Sequence, residues 1–227
     1  MLATIVNTVV VFVCALVGMF MSKGFPNQLR TLLLQILGLC VCVVGLRMVL
    51  KVENDLVIVI SLAIGTIIGH FLKLDERFNR LGEKLQALVK VKDTRFVDGF
   101  VSAAMLYCVG AMAIIGSFEA GLNQNYSIIF TKSVLDGIMS IVLGSTMGIG
   151  VAFSAVAVLL YQGALTLLAS VLSPLLTESV IAYMSAVGGV MIIGIGINTA
   201  GIKEINTINA LPALLVAAVI AYVLPLA

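Results

Sequence analysis

Charged side chains are scarce in this 227-residue chain, which has 13 Lys and Arg and 11 Asp and Glu, only 11% of its residues. Soluble domains carry about 25% charged and about 45 to 50% apolar residues, whereas this chain is 61% hydrophobic and has a mean hydropathy of +1.20. The composition excludes a soluble globular domain and predicts an integral membrane protein. The net charge of +2 forms no broad basic patch, so we expect no nucleic-acid binding.

Residues that commonly hold metals or perform catalysis are also few. His70 is the single histidine, and the four cysteines lie inside apolar runs without forming a C-x-x-C pair. A Walker-type phosphate loop and a hydrolase triad are absent from the sequence. We therefore expect no cofactor, no conventional zinc or haem site and no enzymatic activity.

Apolar runs of about 20 residues, the length that crosses a bilayer as a helix, recur along the chain. Eight such runs lie at residues 3–21, 31–50, 55–72, 97–116, 130–149, 151–172, 179–200 and 208–226. The fifth and sixth are separated only by Gly148-Ile149-Gly150, so seven spans is the alternative. The predicted fold is an all-α polytopic transmembrane helical bundle of about eight spans with broken helices, forming a single membrane domain over residues 1–227.

The positions of Lys and Arg predict the orientation of these spans. In an eight-span arrangement, the loops on one side carry most of them, and only Arg47, Lys51 and Lys132 belong to the other side. By the positive-inside rule, the basic loops are cytoplasmic and both termini are extracytoplasmic.

The longest basic loop contains a predicted amphipathic helix near residues 75–91. Its apolar residues recur at helical spacing, and they are Phe78, Leu81, Leu85, Leu88 and Val89. Such a helix lies on the membrane surface or packs against a second subunit. The second interpretation and the small size of the bundle predict a homodimer.

Glycines recur at matching positions in the second and seventh spans. Gly38 and Gly45 correspond to Gly189 and Gly196 at one offset, and Glu53 then corresponds to Glu204. Because the first three spans run opposite to the last three, this match is compatible with an inverted repeat of the kind found in transporters. Glycines are common in membrane helices, so a chance match is the alternative.

The stretch from Asp98 to Gly150 contains most candidate functional residues. Two spans open with the pattern Asp-Gly-x-x-Ser, at Asp98 and Asp136, and both are interrupted by glycines. Broken membrane helices occur where they face protein or a water-filled cavity. An ionisable residue inside a span is a functional candidate, although acids in a first helical turn also act as caps.

The predicted substrate or ion pathway consists of acids and polar side chains near these breaks. They are Asp136, Glu119, Asp98, Ser140, Ser145, Thr146 and Asn198. Unwinding at residues 144–150 would add backbone carbonyls, and this set suits a small cation, a proton-coupled polar solute or an amino acid. The predicted function is a secondary transporter or channel-like permease, and a non-transporting membrane scaffold or assembly factor is the alternative.

Several short motifs resemble the YqgA/YdfK family of uncharacterised bacterial inner-membrane proteins. They are Lys23-Gly24-Phe25-Pro26, Leu37-Gly38-Leu39-Cys40, Leu81-Gly82-Glu83, the block 108–117 beginning Cys108-Val109-Gly110, Thr131-Lys132-Ser133-Val134-Leu135-Asp136-Gly137 and Tyr161-Gln162-Gly163. The resemblance covers nearly the whole chain and implies a multi-pass protein of the bacterial cytoplasmic membrane. It implies no substrate, mechanism or functional residue.

Overall fold

The computed structural model describes residues 1–21, 26–89, 95–109, 111–172 and 174–223, which form helices and connecting loops without a strand. The helices, numbered in chain order, are α1 Leu2–Met21, α2 Asn27–Val49, α3 Asp55–Phe71, α4 Leu74–Val89, α5 Phe96–Cys108, α6 Ala111–Leu122, α7 Ser127–Met147, α8 Gly150–Leu167, α9 Ala169–Leu172, α10 Glu178–Thr199 and α11 Pro212–Val223. A 3-10 helix, Ile208–Ala210, precedes α11. The prediction of an all-helical fold is confirmed.

Five helices of the described chain are long and apolar enough to cross a membrane: α1, α2 from Thr31, α7, α8 and α10. A sixth candidate is the pair formed by α5 and α6, which are bent by 60° relative to each other. α3 and the helical segment Ile208–Val223 are apolar but shorter. Several apolar spans are therefore confirmed, at five or six, and the predicted count of about eight is not.

The helix predicted near residues 75–91 corresponds to α4. Its first turn carries Asp75 and Glu76, which suit the positive end of the helix dipole. The side chains of the predicted apolar face, Phe78, Leu81, Leu85, Leu88 and Val89, lie outside the described residues.

Packing groups the chain into two compact units. Unit 1 contains Met1–Leu33, Asn79–Cys108 and Met112–Val171, and unit 2 contains Leu34–Phe78, Val109–Ala111 and Leu172–Ala227.

In unit 1, α1 lies along α7 with their backbones in close contact. A Cβ atom on Gly18 would overlap the backbone of Ile141, and one on Gly144 would overlap the backbone of Ala15. Small residues permit such approaches between membrane helices, where packing replaces the hydrophobic effect as a driving force. This contact holds α1 against α7 and thereby places the polar side chains that the two helices carry.

The connection between α7 and α8 in unit 1 depends on glycine. Gly148 ends α7 with φ of +80°, a left-handed conformation that is costly for residues with a Cβ atom. Two residues later, a Cβ atom on Gly150 would overlap the backbone of Phe96 at the start of α5. The chain therefore reverses over Gly148 and Ile149 while α5 packs directly against the turn.

In unit 2, α2 and α10 pack antiparallel through two glycine pairs. Gly38 faces Gly196, and Gly45 faces Gly189. In each pair, a Cβ atom on either glycine would overlap the backbone of the other helix. α3 crosses the α11 region in the same manner, because Gly65 faces the backbone of Ala213.

The loop that follows α10 is attached to the start of α4 within unit 2. Asn206 Nδ2 donates a 2.9 Å hydrogen bond to Asp75 Oδ2, and the Asp75 amide donates a 3.2 Å bond to Asn209 Oδ1. The hydrogen bond from the backbone N–H of Glu76 lowers the pKa of Asp75, and the side chains of Asn206 and Asn209 lower it further. Desolvation acts in the opposite direction but is weaker. Asp75 therefore stays ionised into more acidic solution than an isolated aspartate.

We expect Gly196→Ala to destabilise the protein and Gly163→Ala to be tolerated. The new methyl at 196 would meet Gly38 O at 2.6 Å and Cys42 N at 2.8 Å, whereas at 163 the nearest atom is Met1 Cε at 3.6 Å. Overpacking costs about 1–3 kcal/mol, whereas alanine stabilises an open helical site by up to about 1 kcal/mol. Thermal unfolding of both variants in detergent, followed by circular dichroism, measures the difference; equal melting temperatures would contradict the close packing of α2 on α10.

Candidate functional site

An ion pair lies inside unit 1, near the middle of α7. Lys132 Nζ donates to Asp136 Oδ2 one helical turn further along, and the two residues are only 6% and 7% exposed. Asp136 is the tenth of the 21 residues of α7, a helix about 30 Å long. Because the hydrocarbon core of a bilayer is also about 30 Å thick, Asp136 lies near the middle of this candidate span.

Among the residues that the structure describes, Lys132 and Asp136 are the only two charged residues that are buried. A single charge in this position costs several kcal/mol, and a paired, hydrogen-bonded charge costs much less. The Lys132 ammonium also lies 5.9 Å from the centroid of the Tyr107 ring, close enough for the negative face of the ring to stabilise the cation. The two charges of the pair therefore cancel, and the Tyr107 ring on α5 stabilises the Lys132 ammonium.

Two amide side chains extend the ion pair across α1 and α8. Asn7 Nδ2 donates to Asp136 Oδ2 and to Gln162 Oε1, both at 3.1 Å, and Asn7 and Gln162 are completely buried. Asn7 Oδ1 and Gln162 Nε2 have no hydrogen-bond partner. One buried acceptor and one buried donor are thus left unsatisfied beside the ion pair, an arrangement that is costly unless another molecule supplies the missing groups.

Hydroxyl groups flank the charged and amide groups on both sides. Tyr107 OH and Ser140 Oγ share a 2.8 Å hydrogen bond, and Thr4 Oγ1 and Thr166 Oγ1 share one of 3.4 Å. All four side chains are buried. We call the eight residues together the polar cluster: Thr4, Asn7, Tyr107, Lys132, Asp136, Ser140, Gln162 and Thr166.

The polar cluster brings together four helices that are distant in sequence. α1 and α7 run in the same direction, with Asn7 beside Asp136 and Gly18 beside Ile141 further along. α8 returns after the short turn at Gly148, which brings Gln162 back to the level of Asn7. The cluster therefore results from the glycine contacts described above.

Of the predicted pathway residues, Asp136 and Ser140 belong to the polar cluster. Ser145 and Thr146 lie in the last turn of α7, where Ser145 Oγ donates to Val142 O at 2.7 Å and Thr146 Oγ1 donates to Leu143 O at 3.1 Å. The expected unwinding of residues 144–150 is not observed: the stretch is the end of α7 and a tight turn into α8.

The remaining predicted residues lie elsewhere. Glu119 is half-buried near the end of α6 and accepts hydrogen bonds from Asn123 and Asn125. Asp98 is exposed in the first turn of α5. Asn198 belongs to unit 2, where it exchanges two hydrogen bonds with the backbone of Ile205. The eight residues of the polar cluster include none of these three, and their place on a pathway stays a prediction.

Lys132 is the most important residue that the sequence analysis misses. The sequence uses it only as one of the basic residues that predict the orientation of the spans, whereas the structure places it buried within α7 and paired with Asp136. The spacing Lys-x-x-x-Asp within an apolar run is the signal that identifies it, since residues four apart face each other on a helix. Asn7 and Tyr107 carry no such local signal.

Sequence comparison identifies the family of this chain. The profile of "Protein of unknown function (DUF554)" matches residues 2–222. The chain belongs to the DUF554 family. This DUF554 protein is 32% identical over 228 residues to "Uncharacterized membrane protein YdfK" of Bacillus subtilis (strain 168), covering 99% of this chain and 97% of the relative.

A second relative of this DUF554 protein is "Uncharacterized protein YqgA" of Escherichia coli (strain K12), 30% identical over 217 residues that cover 93% of this chain and 92% of the relative. No solved structure matches the chain. The predicted resemblance to the YqgA/YdfK family is confirmed, as is the assignment to membrane proteins.

We expect Lys132→Met alone to destabilise this DUF554 protein and Lys132→Met combined with Asp136→Leu to restore most of the loss. Removing one partner of a buried ion pair leaves an uncompensated charge and costs about 3–5 kcal/mol, whereas replacing both partners by apolar residues is often neutral. Unfolding of the single and double variants in mixed micelles measures the coupling free energy.

Leu135→Met is the matched control for these variants, because Leu135 adjoins Asp136 on the same helix but is 51% exposed. This change should leave stability unaltered. Additive effects of the two cluster substitutions would contradict the ion pair.

Proposed function

We propose that this protein is a secondary transporter or channel-like permease that moves a small polar solute or ion past the polar cluster. The observation that supports the proposal most strongly is the Lys132–Asp136 ion pair near the middle of a candidate span, next to two unsatisfied amide atoms. Charges within membrane helices are expensive and mark substrate or ion pathways.

The donors and acceptors of the cluster define what the site can bind. Lys132 and Asp136 offer opposite charges, Asn7 Oδ1 offers an acceptor, and Gln162 Nε2 offers a donor. Polar side chains that only hold membrane helices together satisfy one another's hydrogen-bonding capacity. A site with unmatched atoms of both kinds instead suits a small solute that carries both donors and acceptors, or an ion with its first shell of water.

In the proposed arrangement the protein crosses the bacterial cytoplasmic membrane eight times. The five long helices, the bent pair α5–α6 and the two shorter apolar segments α3 and Ile208–Val223 supply these crossings. Under the positive-inside rule, the basic loop around α4 is cytoplasmic and both termini are extracytoplasmic.

We further propose that the bundle is an inverted repeat. When the sequence is aligned with itself at an offset of 151 residues, Gly38 corresponds to Gly189 and Gly45 to Gly196. In this alignment α1 corresponds to α8, α2 to α10 and α3 to the α11 region. Each of these helices packs against its own counterpart within one unit. Such two-fold pairing is typical of transporter folds built from repeats of opposite topology.

A solute-flux assay tests the proposed function. Proteoliposomes are shrunk in stopped flow with urea, glycine, potassium nitrate or sodium chloride, and their recovery reports entry of the solute. We expect recovery to exceed that of protein-free vesicles for at least one solute. Lys132→Met and Asp136→Asn should each slow it by about tenfold or more, equivalent to ~1.4 kcal/mol in the barrier.

Three variants serve as controls in this assay. Leu135→Met should transport normally. Lys132→Met with Asp136→Leu should be folded and inactive, which separates loss of transport from loss of structure. Glu119→Gln should have a smaller effect than Asp136→Asn, because Glu119 lies near the end of α6. Unchanged flux in Asp136→Asn would remove Asp136 from the mechanism; no flux with any solute, together with altered stability of the variants, would favour a membrane scaffold.

We also propose that the protein is a homodimer, as the small bundle and the amphipathic pattern of α4 indicate. Native mass measurement in nanodiscs should give twice the mass of the 23.9 kDa chain. Four substitutions to Glu, at Phe78, Leu81, Leu85 and Leu88, should convert the dimer to a monomer by placing charges in the contact. A monomeric wild-type protein would contradict the proposal.

A further inference from the structure

The polar cluster can accept a charged solute only if a proton moves as well. Among the described buried residues, Lys132 and Asp136 are the charges, and each neutralises the other. A solute ion that pairs with one of them releases its partner as an isolated charge in an apolar surrounding. Such a charge is avoided if the released residue gains or loses a proton.

The side-chain amides of Asn7 and Gln162 can turn when Asp136 is protonated, and the number of hydrogen bonds among the three residues then stays the same. With Asp136 ionised, Asn7 Nδ2 donates to Asp136 and to Gln162 Oε1. An amide has nearly the same shape after a half-turn that exchanges its oxygen and nitrogen. If Asp136 is protonated and both amides turn, Asn7 Oδ1 accepts from the Asp136 hydroxyl and from Gln162 Nε2, again two bonds.

The groups around Lys132 favour an anion over a cation. Once Asp136 is protonated, the Lys132 ammonium is free to donate, and the Tyr107–Ser140 pair retains one hydroxyl proton that its mutual hydrogen bond does not use. The aromatic ring of Tyr107 lies beside Lys132. The described residues contain no group of three His, Cys, Asp or Glu side chains of the kind that holds a divalent metal ion.

Building on the proposed function, we propose that the polar cluster binds a small monovalent anion together with one proton, and that the two cross the membrane in an electroneutral step. Asp136 takes up a proton from water and its ion pair with Lys132 breaks. The side-chain amides of Asn7 and Gln162 each make a half-turn that exchanges oxygen and nitrogen. The Lys132 ammonium then pairs with the anion. The charge of the site is zero before and after binding, so the membrane potential does not drive the step.

Other titratable side chains lie near the pair on α1 and α5, and they are Cys14, Tyr107 and Cys108. Tyr161 on α8 lies near Cys108. Thiols and phenols lose protons only in alkaline solution, so Asp136 is the group beside Lys132 that can take up a proton. Anion transport should consequently become faster as the solution is acidified.

The test uses full-length protein in vesicles that contain the pH dye pyranine and potassium gluconate. Potassium nitrate or potassium chloride is added outside at equal pH and equal potassium, with valinomycin to hold the potential at zero. We expect the anion gradient to acidify the lumen by one proton per anion, at the same rate with and without valinomycin. Protein-free vesicles and the Leu135→Met variant provide the background and the normal rate.

Two variants separate the anion from the proton. Asp136→Asn should exchange radioactive chloride without acidification, because the amide cannot carry the proton, whereas Lys132→Met should move neither. Infrared difference spectra of reconstituted protein provide a readout that does not depend on transport. Exchange of gluconate for nitrate at constant pH should reveal a protonated carboxyl band that is absent in Asp136→Asn.

The outcomes distinguish this inference from the proposed function. With the wild-type protein, a sodium gradient that makes the lumen alkaline would indicate cation–proton exchange and overturn the inference. Movement of nitrate or chloride by the wild-type protein without acidification would overturn it as well; the permease would stand in both cases. Absence of movement for urea, glycine, nitrate, chloride and sodium would overturn both proposals.

Discussion

The ion pair between Lys132 and Asp136 is the interaction on which the other features of unit 1 depend. Opposite charges in a low-dielectric interior attract strongly but also lose much hydration, so they are stable there only with further hydrogen bonds. Asn7 and Tyr107 supply these contacts from two other helices. The helices must therefore pack closely enough for short side chains to reach the pair.

Glycine and alanine make that close packing possible. Membrane helices gain little from apolar contact with one another, because lipid tails are equally apolar, and they associate through backbone proximity and polar bonds. Gly18 and Gly144 remove the side chains that would separate α1 from α7. Unit 2 uses the same device between α2 and α10, but its glycine pairs enclose no charged residues of the described chain.

The sequence predicts the long helices well, since a bilayer demands about 20 apolar residues per crossing. The run at 3–21 is α1, and the run at 179–200 is α10. Polar residues inside such runs are harder to interpret. Asp136 is conspicuous as an acid in an apolar run, whereas Asn7 and Gln162 gain meaning only from a tertiary contact across 155 residues of sequence. Local periodicity contains no information about which polar faces of distant helices meet.

The two-residue turn at Gly148 and Ile149 has a mechanical consequence. Arg95 Nη1 donates a 2.9 Å hydrogen bond to Thr146 O just before this turn, and Phe96 packs against Gly150 just after it. At this end, α7 and α8 behave as the closed end of a hairpin that is held by α5. The arms of a hairpin can separate only at their free ends, so the gap between α7 and α8 can widen only on the side where α7 begins and α8 ends.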